Sequence, residues 1–252
     1  MGGGGGSIGT WLSRRVGPTG SVLVTDIDPR WMGAESGGNL KVCRHDIVED
    51  PLPEAEFDLI HARLVLIHVP ERRRALARMV AALKPGGWLI LDEFDCYSVS
   101  VLTGCEPEDA DLFDQVHDAF IDVVAAAGAE LDWARRASGA LDAAGLVDLG
   151  SKGYLESWPG GSAGCDLHRA NFEQLRDKII ASGAVKAEDL DRVAELLVDP
   201  AFAVTSYLLV STWGAAACLS CAAQRRGRPS SVRRRCGRRP KPGEAGVGSM
   251  SG

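Results

Sequence analysis

The sequence predicts an α/β protein in which helices cover a mostly parallel sheet. Short apolar segments that end in acids, such as "SVLVTDID" and "WLILDEFD", are typical of buried parallel strands. Amphipathic segments alternate with these runs, as crossover helices between parallel strands do. Glycine and proline turns, "GPTG" and "KPGG", separate the two kinds of segment. Together these observations favour an open α/β sheet with crossover helices.

The first half of the chain follows this alternation in order. Ile8, Trp11, Leu12 and Val16 recur at helical spacing directly after the opening glycines, which predicts a first helix. The later elements predicted here are strands at 21–28 and 40–47, a strand from 57 leading into a helix entry by 69, a helix over 70–83 and a strand over 88–95. Proline in the first turn of the 70–83 helix suits that position.

The alternation changes after residue 96. Helices are predicted at about 108–127, 129–145, 166–183 and 187–199, with strands at 146–158 and 202–214. The helices at 108–127 and 166–199 interrupt the simple order of strand and helix. We therefore interpret them as a lid over a ligand pocket.

Charge divides the chain into two parts. The net charge is −6, yet the segment from Ala215 to the end holds nine Lys or Arg residues and one acid. This tail is poor in apolar residues and rich in Gly, Pro and Ser, so it is predicted to be disordered. The sequence thus predicts one folded domain over 1–214 and a basic tail over 215–252. A solvated extension is favoured, with nucleic-acid binding as the alternative.

Composition also bears on compartment and metals. The sequence has no run of about 20 apolar residues and no secretory signal, which favours a cytoplasmic protein that does not enter a membrane. Seven scattered cysteines do not suggest a disulfide framework. Cys218 and Cys221 form one C-x-x-C without a second ligand pair, so no metal site is predicted.

The glycine run that opens the chain predicts a ligand loop. Glycines between a strand and a helix let the backbone approach a nucleotide-like ligand, and the helix N-terminus attracts an anionic group. Asp26 lies about 20 residues later at the end of a strand, where an acid can bind ribose hydroxyls. The run fits G-x-G-x-x-G through Gly9 and G-x-G-x-G through Gly6. The loop alone therefore leaves a nicotinamide dinucleotide and S-adenosylmethionine both open.

The wider sequence resembles the Rossmann-like (class I) S-adenosylmethionine-dependent methyltransferases that act on small molecules. The resemblance is carried by "GGGGGSIGTWLSRRVGPTGSVLVTDIDP", "CRHDI" and "FDLIHARLVLIHVPERRRALARMVAALKPGGWLILDE". It covers about residues 2–214 and is strongest from 2 to 95. It implies a seven-stranded sheet that ends in an antiparallel hairpin, and methyl transfer from S-adenosylmethionine to a small-molecule acceptor.

The resemblance also implies site residues. Gly2, Gly4 and Gly6 would surround the methionine end of the cofactor. The other cofactor-binding residues it implies are Asp26 at the ribose, Ile27 at the adenine, Asp46 at the adenine amino group with Ile47 beside it, and Ala62 and Arg63 near the methyl donor.

The sequence departs from the family at its start. The family's first strand, and the acid just before its first glycine, would lie upstream of Met1. Without that strand two neighbouring strand edges are exposed and buried apolar area is lost. We therefore expect an N-terminally truncated domain that binds cofactor weakly or not at all.

No catalytic base is assigned from the sequence. Glu93 and Asp95 leave a strand at the ligand end, and His117 lies on a predicted lid helix, but none belongs to a recognisable catalytic set. His61 and His68 flank a predicted strand, and His68 is interpreted as structural. Two alternatives are left open. One is an NAD(P)-dependent oxidoreductase, although the sequence contains no Y-x-x-x-K pair. The other is a non-catalytic binding module with a basic tail. The sequence predicts neither the acceptor nor the oligomeric state.

Overall fold

The computed structural model describes residues 1–32 and 38–218 of the 252-residue chain. Cys221 and nearly all of the predicted basic tail lie outside the described residues. The helices are α1 (Ser7–Val16), α2 (Arg72–Ala82), α3 (Pro107–Ala126), α4 (Trp133–Ala143), α5 (Ala163–Gln174), α6 (Arg176–Ala181) and α7 (Ala187–Leu196). Short 3-10 turns occupy Pro29–Trp31 and Leu66–His68.

The strands form three sheets. They are β1 (Val22–Asp26), β2 (Leu40–Arg44), β3 (Phe57–Arg63), β4 (Leu83–Asp95), β5 (Val101–Thr103), β6 (Val147–Tyr154), β7 (Ser157–Pro159), β8 (Ala203–Thr205) and β9 (Leu208–Ala215). β1 and β2 pair in parallel as one sheet, and a second sheet has the order β3-β4-β9-β6. β3 and β4 are parallel, whereas β9 is antiparallel to both β4 and β6. A small antiparallel sheet has the order β5-β8-β7.

This arrangement confirms the α/β class and the antiparallel pair near the end of the domain, β6 with β9. The implied seven-stranded sheet is not formed. Within the described residues two separate sheets with six strands in total occur instead, because no segment pairs with both β1 and β3. The helix expected over 70–83 is present as α2 and ends at Ala82.

Several predicted boundaries are wrong, each for a local reason. The helix expected over 166–183 is interrupted at Leu175, which ends α5 and precedes α6. The single strand expected over 202–214 is two strands, because Ser206 leaves the line of β8 and donates its N–H to Glu156. The segment 146–158 likewise divides into β6 and β7, and "KPGG" lies within β4.

Two apolar cores hold the described residues together. One core lies around β3, β4, α2 and α4, with Leu89, Leu91 and Trp133 almost fully buried. The other lies among α3, α5, α6, α7 and β8, with Phe113 and Phe202 at its centre. Within residues 1–32 and 38–218, no helix is both long and apolar enough to cross a membrane.

Candidate functional site

The opening glycines form a tight loop before α1. Gly2, Gly4 and Gly6 have φ angles of +62°, +49° and +79°, a conformation that L-residues with a Cβ rarely adopt. A Cβ on Gly2 would lie 2.2 Å from Val65 Cγ2, whereas one on Gly4 would meet nothing within 4 Å. The loop therefore needs glycine for its turns, and it leaves open space above Gly4.

The Asp26 carboxylate lies against this loop. Its Oδ2 accepts a hydrogen bond from the Gly4 N–H at 3.0 Å, and its Oδ1 accepts one from the Asp28 N–H at 2.9 Å. Gly3 donates its N–H to the Thr25 carbonyl at 3.1 Å, so a backbone hydrogen bond also holds the loop against the end of β1. The loop and the acid at the end of β1 thus converge, as a shared nucleoside site requires.

The next predicted residues, Ile27, Asp46 and Ile47, have contrasting surroundings. Asp46 Oδ1 accepts N–H bonds from Val48 at 2.8 Å and Glu49 at 3.3 Å, so this oxygen caps a turn. No hydrogen bond among the described residues involves Asp46 Oδ2. Ile47 is buried in the sheet core, while Ile27 is 59% exposed beside Asp26. An exposed apolar side chain next to the acid suits contact with a ring.

Ala62 and Arg63 lie at the end of β3, next to the start of the glycine loop. Ala62 has no exposed surface, so it can serve the site only as a small packing residue. Arg63 is exposed, and its carbonyl lies near Gly2. Val65 follows and limits the space beside Gly2, which makes this segment one wall of the loop.

Glu93 holds that wall in place, a role that sequence reasoning missed. It has no exposed surface, and it accepts N–H bonds from Leu66 at 2.9 Å and Ile67 at 3.4 Å. Burial raises the pKa of Glu93 to about 7, against the opposing effect of these N–H donors. The signal available in the sequence was an acid at a strand position that faces the protein interior.

A cluster of rings lies beneath α3 and α5. His117 and His168 are buried with ring centroids 6.0 Å apart, and Tyr207 lies between them and Phe94. The Tyr207 hydroxyl is 3.3 Å from His168 Nδ1. The Nε2 atoms of both histidines have no hydrogen-bond partner within the described part of the chain. Burial lowers the pKa of His117 to about 4 and that of His168 to about 3, so both rings are neutral at pH 7.

A cavity of about 640 Å³ lies between the β1-β2 sheet and the edge strand β3 of the four-stranded sheet. Its lining includes glycine-loop residues 1–5, the apolar side of α1, and the facing edges of β1 and β3. Gly2, Gly4 and Arg63 are among the predicted site residues that line it, whereas Asp26, Asp46 and Ala62 are not. The cavity therefore adjoins the predicted cofactor site without coinciding with it.

The residues present fit S-adenosylmethionine at three points. The glycine loop leaves space above Gly4 that a Cβ would reach into. The Asp26 carboxylate faces that loop, and the first turn of α1 follows it directly. No cluster of three or more potential metal ligands occurs in residues 1–32 or 38–218.

Part of the chain is similar to known methyltransferases. The family described as "Methyltransferase domain" matches residues 1–91. The chain is 35% identical over 94 residues to "Methyltransferase str2" of Strobilurus tenacellus, covering 36% of this chain and 34% of that protein. It is 32% identical over 120 residues to the "Ubiquinone/menaquinone biosynthesis C-methyltransferase UbiE" of Stutzerimonas stutzeri, covering 40% and 47%. The chain thus matches less than half the length of these relatives.

Solved structures match over more of the chain. The YcgJ protein of Bacillus subtilis superposes with a TM-score of 0.53 at 14% identity, covering 86% of this chain and 89% of that one. The protein BH2331 of Bacillus halodurans gives a TM-score of 0.52 at 14% identity, with coverage of 86% and 90%. At this identity the likeness concerns the fold.

Proposed function

We propose that this protein transfers a methyl group from S-adenosylmethionine to a small-molecule acceptor, because residues 1–91 match the family described as "Methyltransferase domain". The observation that carries the proposal is the 3.0 Å hydrogen bond between Gly4 and the Asp26 carboxylate. It joins the loop that would surround the methionine end to the acid that would bind the ribose. The comparisons do not favour the NAD(P)-dependent alternative.

The chain's own residues would act mainly by positioning. S-adenosylmethionine, when bound, supplies a methyl group already activated on a sulfonium. Gly4 and Asp26 would then orient the nucleoside, with the exposed face of Ile27 against the adenine and Asp46 Oδ2 accepting from its amino group. Alignment of donor and acceptor with exclusion of water accounts for most of the rate in such a displacement.

Glu93 would contribute as a positioning residue. Its bonds to Leu66 and Ile67 fix the segment that follows β3, and Val65 in that segment packs beside Gly2. A shift of this segment would therefore move the loop that surrounds the donor. We assign no general base among the described residues.

The helices of the second core would cover the acceptor. α3, α5, α6 and α7 pack together around Phe113, and this core includes Ile67, next to the glycine-loop wall. The acceptor would enter between this cover and the ends of β3 and β4. The domain boundary at 214, the basic tail, the cytoplasmic location and the absence of nucleic-acid binding remain predictions.

Calorimetry with S-adenosylmethionine, S-adenosylhomocysteine and NAD tests the proposed function. We expect heat of binding with the first two and none with NAD. Asp26→Asn should weaken the affinity for both sulfur nucleosides roughly 10-fold or more, because a charged acceptor of hydrogen bonds is lost. Asp142→Asn on the exposed face of α4 is the matched control and should change neither affinity. Binding of NAD alone would refute the proposal.

A further inference from the structure

Two buried histidines of the helical core each have one ring nitrogen without a hydrogen-bond partner. His117 on α3 is 6% exposed, and His168 on α5 has no exposed surface. Among the described residues, no group bonds to the Nε2 atom of either ring. The two ring centroids are 6.0 Å apart. A buried polar atom without a partner costs free energy, so two such nitrogens this close together indicate one polar group that serves both.

The chemistry of the two rings favours a hydroxyl group as that partner. Burial lowers the pKa of both histidines, so each ring is neutral at pH 7, and each Nε2 is either an N–H donor or an acceptor. The Nδ1 atom of His168 already lies 3.3 Å from the Tyr207 hydroxyl. One hydroxyl can donate to one Nε2 atom and accept from the other. A carboxylate or an ammonium group can do only one of these and would bring a charge into a buried site of neutral rings.

Aromatic side chains surround the two imidazoles. The centroid of the Phe113 ring lies 6.2 Å from that of His117 and 5.7 Å from that of His168. The rings of Phe172 and Trp158 lie 5.8 Å and 5.6 Å from the His168 ring. These distances and the tilted or edge-to-face angles are those that aromatic pairs prefer. The surroundings of the two nitrogens therefore suit a flat ring better than an aliphatic chain.

This ring cluster lies at the end of the sheet where the glycine loop also lies. Phe94, near the carboxyl end of β4, packs against Tyr207 with ring centroids 5.2 Å apart. Ile67 belongs to the same core, and its N–H donates to Glu93 in the segment that forms the wall beside Gly2. In open α/β sheets, ligands bind outside the carboxyl ends of the strands. A molecule held by the two histidines would therefore be on the same side of the sheet as the proposed methyl donor.

Two rings at the edge of the cluster provide the route of entry. Phe94 and Trp158 are half-buried, whereas Phe113 and His168 have no exposed surface. The histidines are on α3 and α5, two of the helices that would cover the acceptor. A ligand would enter past the half-buried rings when these helices move apart, as the covering elements of enzymes do.

We propose that His117 and His168 bind the hydroxyl group of a small, uncharged phenol, whose ring packs among the aromatic side chains of this cluster. The hydroxyl would lie between the two Nε2 atoms and bond to both. Tyr207 would act as a positioning residue, because its hydroxyl holds the His168 ring through Nδ1. This inference rests on the proposed function, to which it adds the chemical class of the methyl acceptor.

Nitrogen-15 NMR of the histidine rings in the full chain tests the inference. The chain is titrated with phenol, with toluene, which lacks the hydroxyl, and with cyclohexanol, which lacks the aromatic ring. We expect phenol to shift the Nε2 resonances of His117 and His168 and to bind roughly 5-fold or more tightly than either analogue, because it alone makes both kinds of contact. The resonances of the exposed His68 ring should not move and serve as the internal reference.

His117→Phe and His117→Gln form a matched pair of variants. Phenylalanine keeps a ring in place but has no nitrogen, whereas the glutamine amide can take the position of Nε2. The Phe variant should lose roughly 3- to 10-fold in affinity for phenol and none for toluene, because only the bond to the hydroxyl is removed. The Gln variant should retain most of the affinity for phenol. The titration of the wild-type chain gives a result even if a variant fails to fold.

Equal affinity of the wild-type chain for phenol and toluene would overturn the inference, as would unchanged Nε2 resonances on addition of phenol. Titration with S-adenosylhomocysteine separates this result from the proposed function. Binding of that nucleoside without a preference for phenol refutes the phenol site alone. A preference for phenol in a chain that does not bind the nucleoside supports the site and refutes the proposed methyl transfer.

Discussion

The half of the molecule around α3 and α5 is closed, whereas the half around the glycine loop is open. Phe113 has no exposed surface and contacts the rings of His117, His168, Phe172 and Phe202. In α1, by contrast, Gly9 is the only buried residue, and the sheet beside it consists of two strands. A two-stranded sheet is marginally stable unless it packs against something else.

The difference shows what each half depends on. The helical half is held by side-chain packing that its own residues complete. The half around the glycine loop depends on backbone hydrogen bonds along β1 and β3. Apolar side chains alone do not provide such bonds. The proposed ligand loop therefore lies on the less well-supported half of the molecule, while the helical half is already well packed.

The largest expected effect is on the closed half. Phe113→Ala should lower the free energy of unfolding by about 3–5 kcal/mol, because it leaves a cavity among packed rings. Leu12→Ala on α1 should cost less than about 1 kcal/mol, since that side chain borders a cavity already. Urea denaturation of both variants measures the contrast. Equal losses would mean that α1 is packed as well as α3.

The next largest expected effect is the contribution of Glu93 to the free energy of unfolding, which depends on pH. The pKa of Glu93 is raised to about 7 in the fold from 4.5, so the folded protein favours the protonated acid. Its contribution to stability is present below pH 4.5 and is lost as pH rises through 7. Glu93→Gln should therefore gain roughly 1–3 kcal/mol relative to wild type between pH 4.5 and 7.

Urea denaturation of wild type and Glu93→Gln at several pH values in that range provides the measurement. Glu108→Gln, an exposed acid in the first turn of α3, is the control for the general effect of removing a carboxylate. A pH profile for Glu93→Gln that runs parallel to wild type would contradict the assignment.

The smallest expected effect is on the affinity of the glycine loop for the cofactor. Gly2→Ala should weaken S-adenosylmethionine binding roughly 5- to 30-fold, because the positive φ angle costs about 1–2 kcal/mol for an L-residue and its Cβ would clash with Val65. Gly5→Ala is the matched control: its φ is not positive, and an added Cβ meets nothing within 4 Å. Calorimetry compares the two. A larger loss from Gly5→Ala would place the cofactor directly above that residue.

Much of this architecture could be predicted from local sequence patterns. The apolar run that ends at Asp26 and the glycines before Ser7 were sufficient to anticipate the meeting of Gly4 with the Asp26 carboxylate. The break of the fifth helix at Leu175 was not visible, because the apolar spacing continues across it while the backbone turns. The role of Glu93 depends on N–H groups of Leu66 and Ile67, which come near only after β3 and β4 have paired.

The two neutral imidazoles that α3 and α5 bury, His117 and His168, make the helical half sensitive to acid. The pKa values of His117 and His168 are lowered by burial to about 4 and about 3, while an unfolded chain would take up protons near 6.5. Stability from these rings is therefore complete above pH 6.5 and declines as pH falls toward 4. Acidification below pH 6.5 should therefore lower the stability of the core that α3 and α5 share.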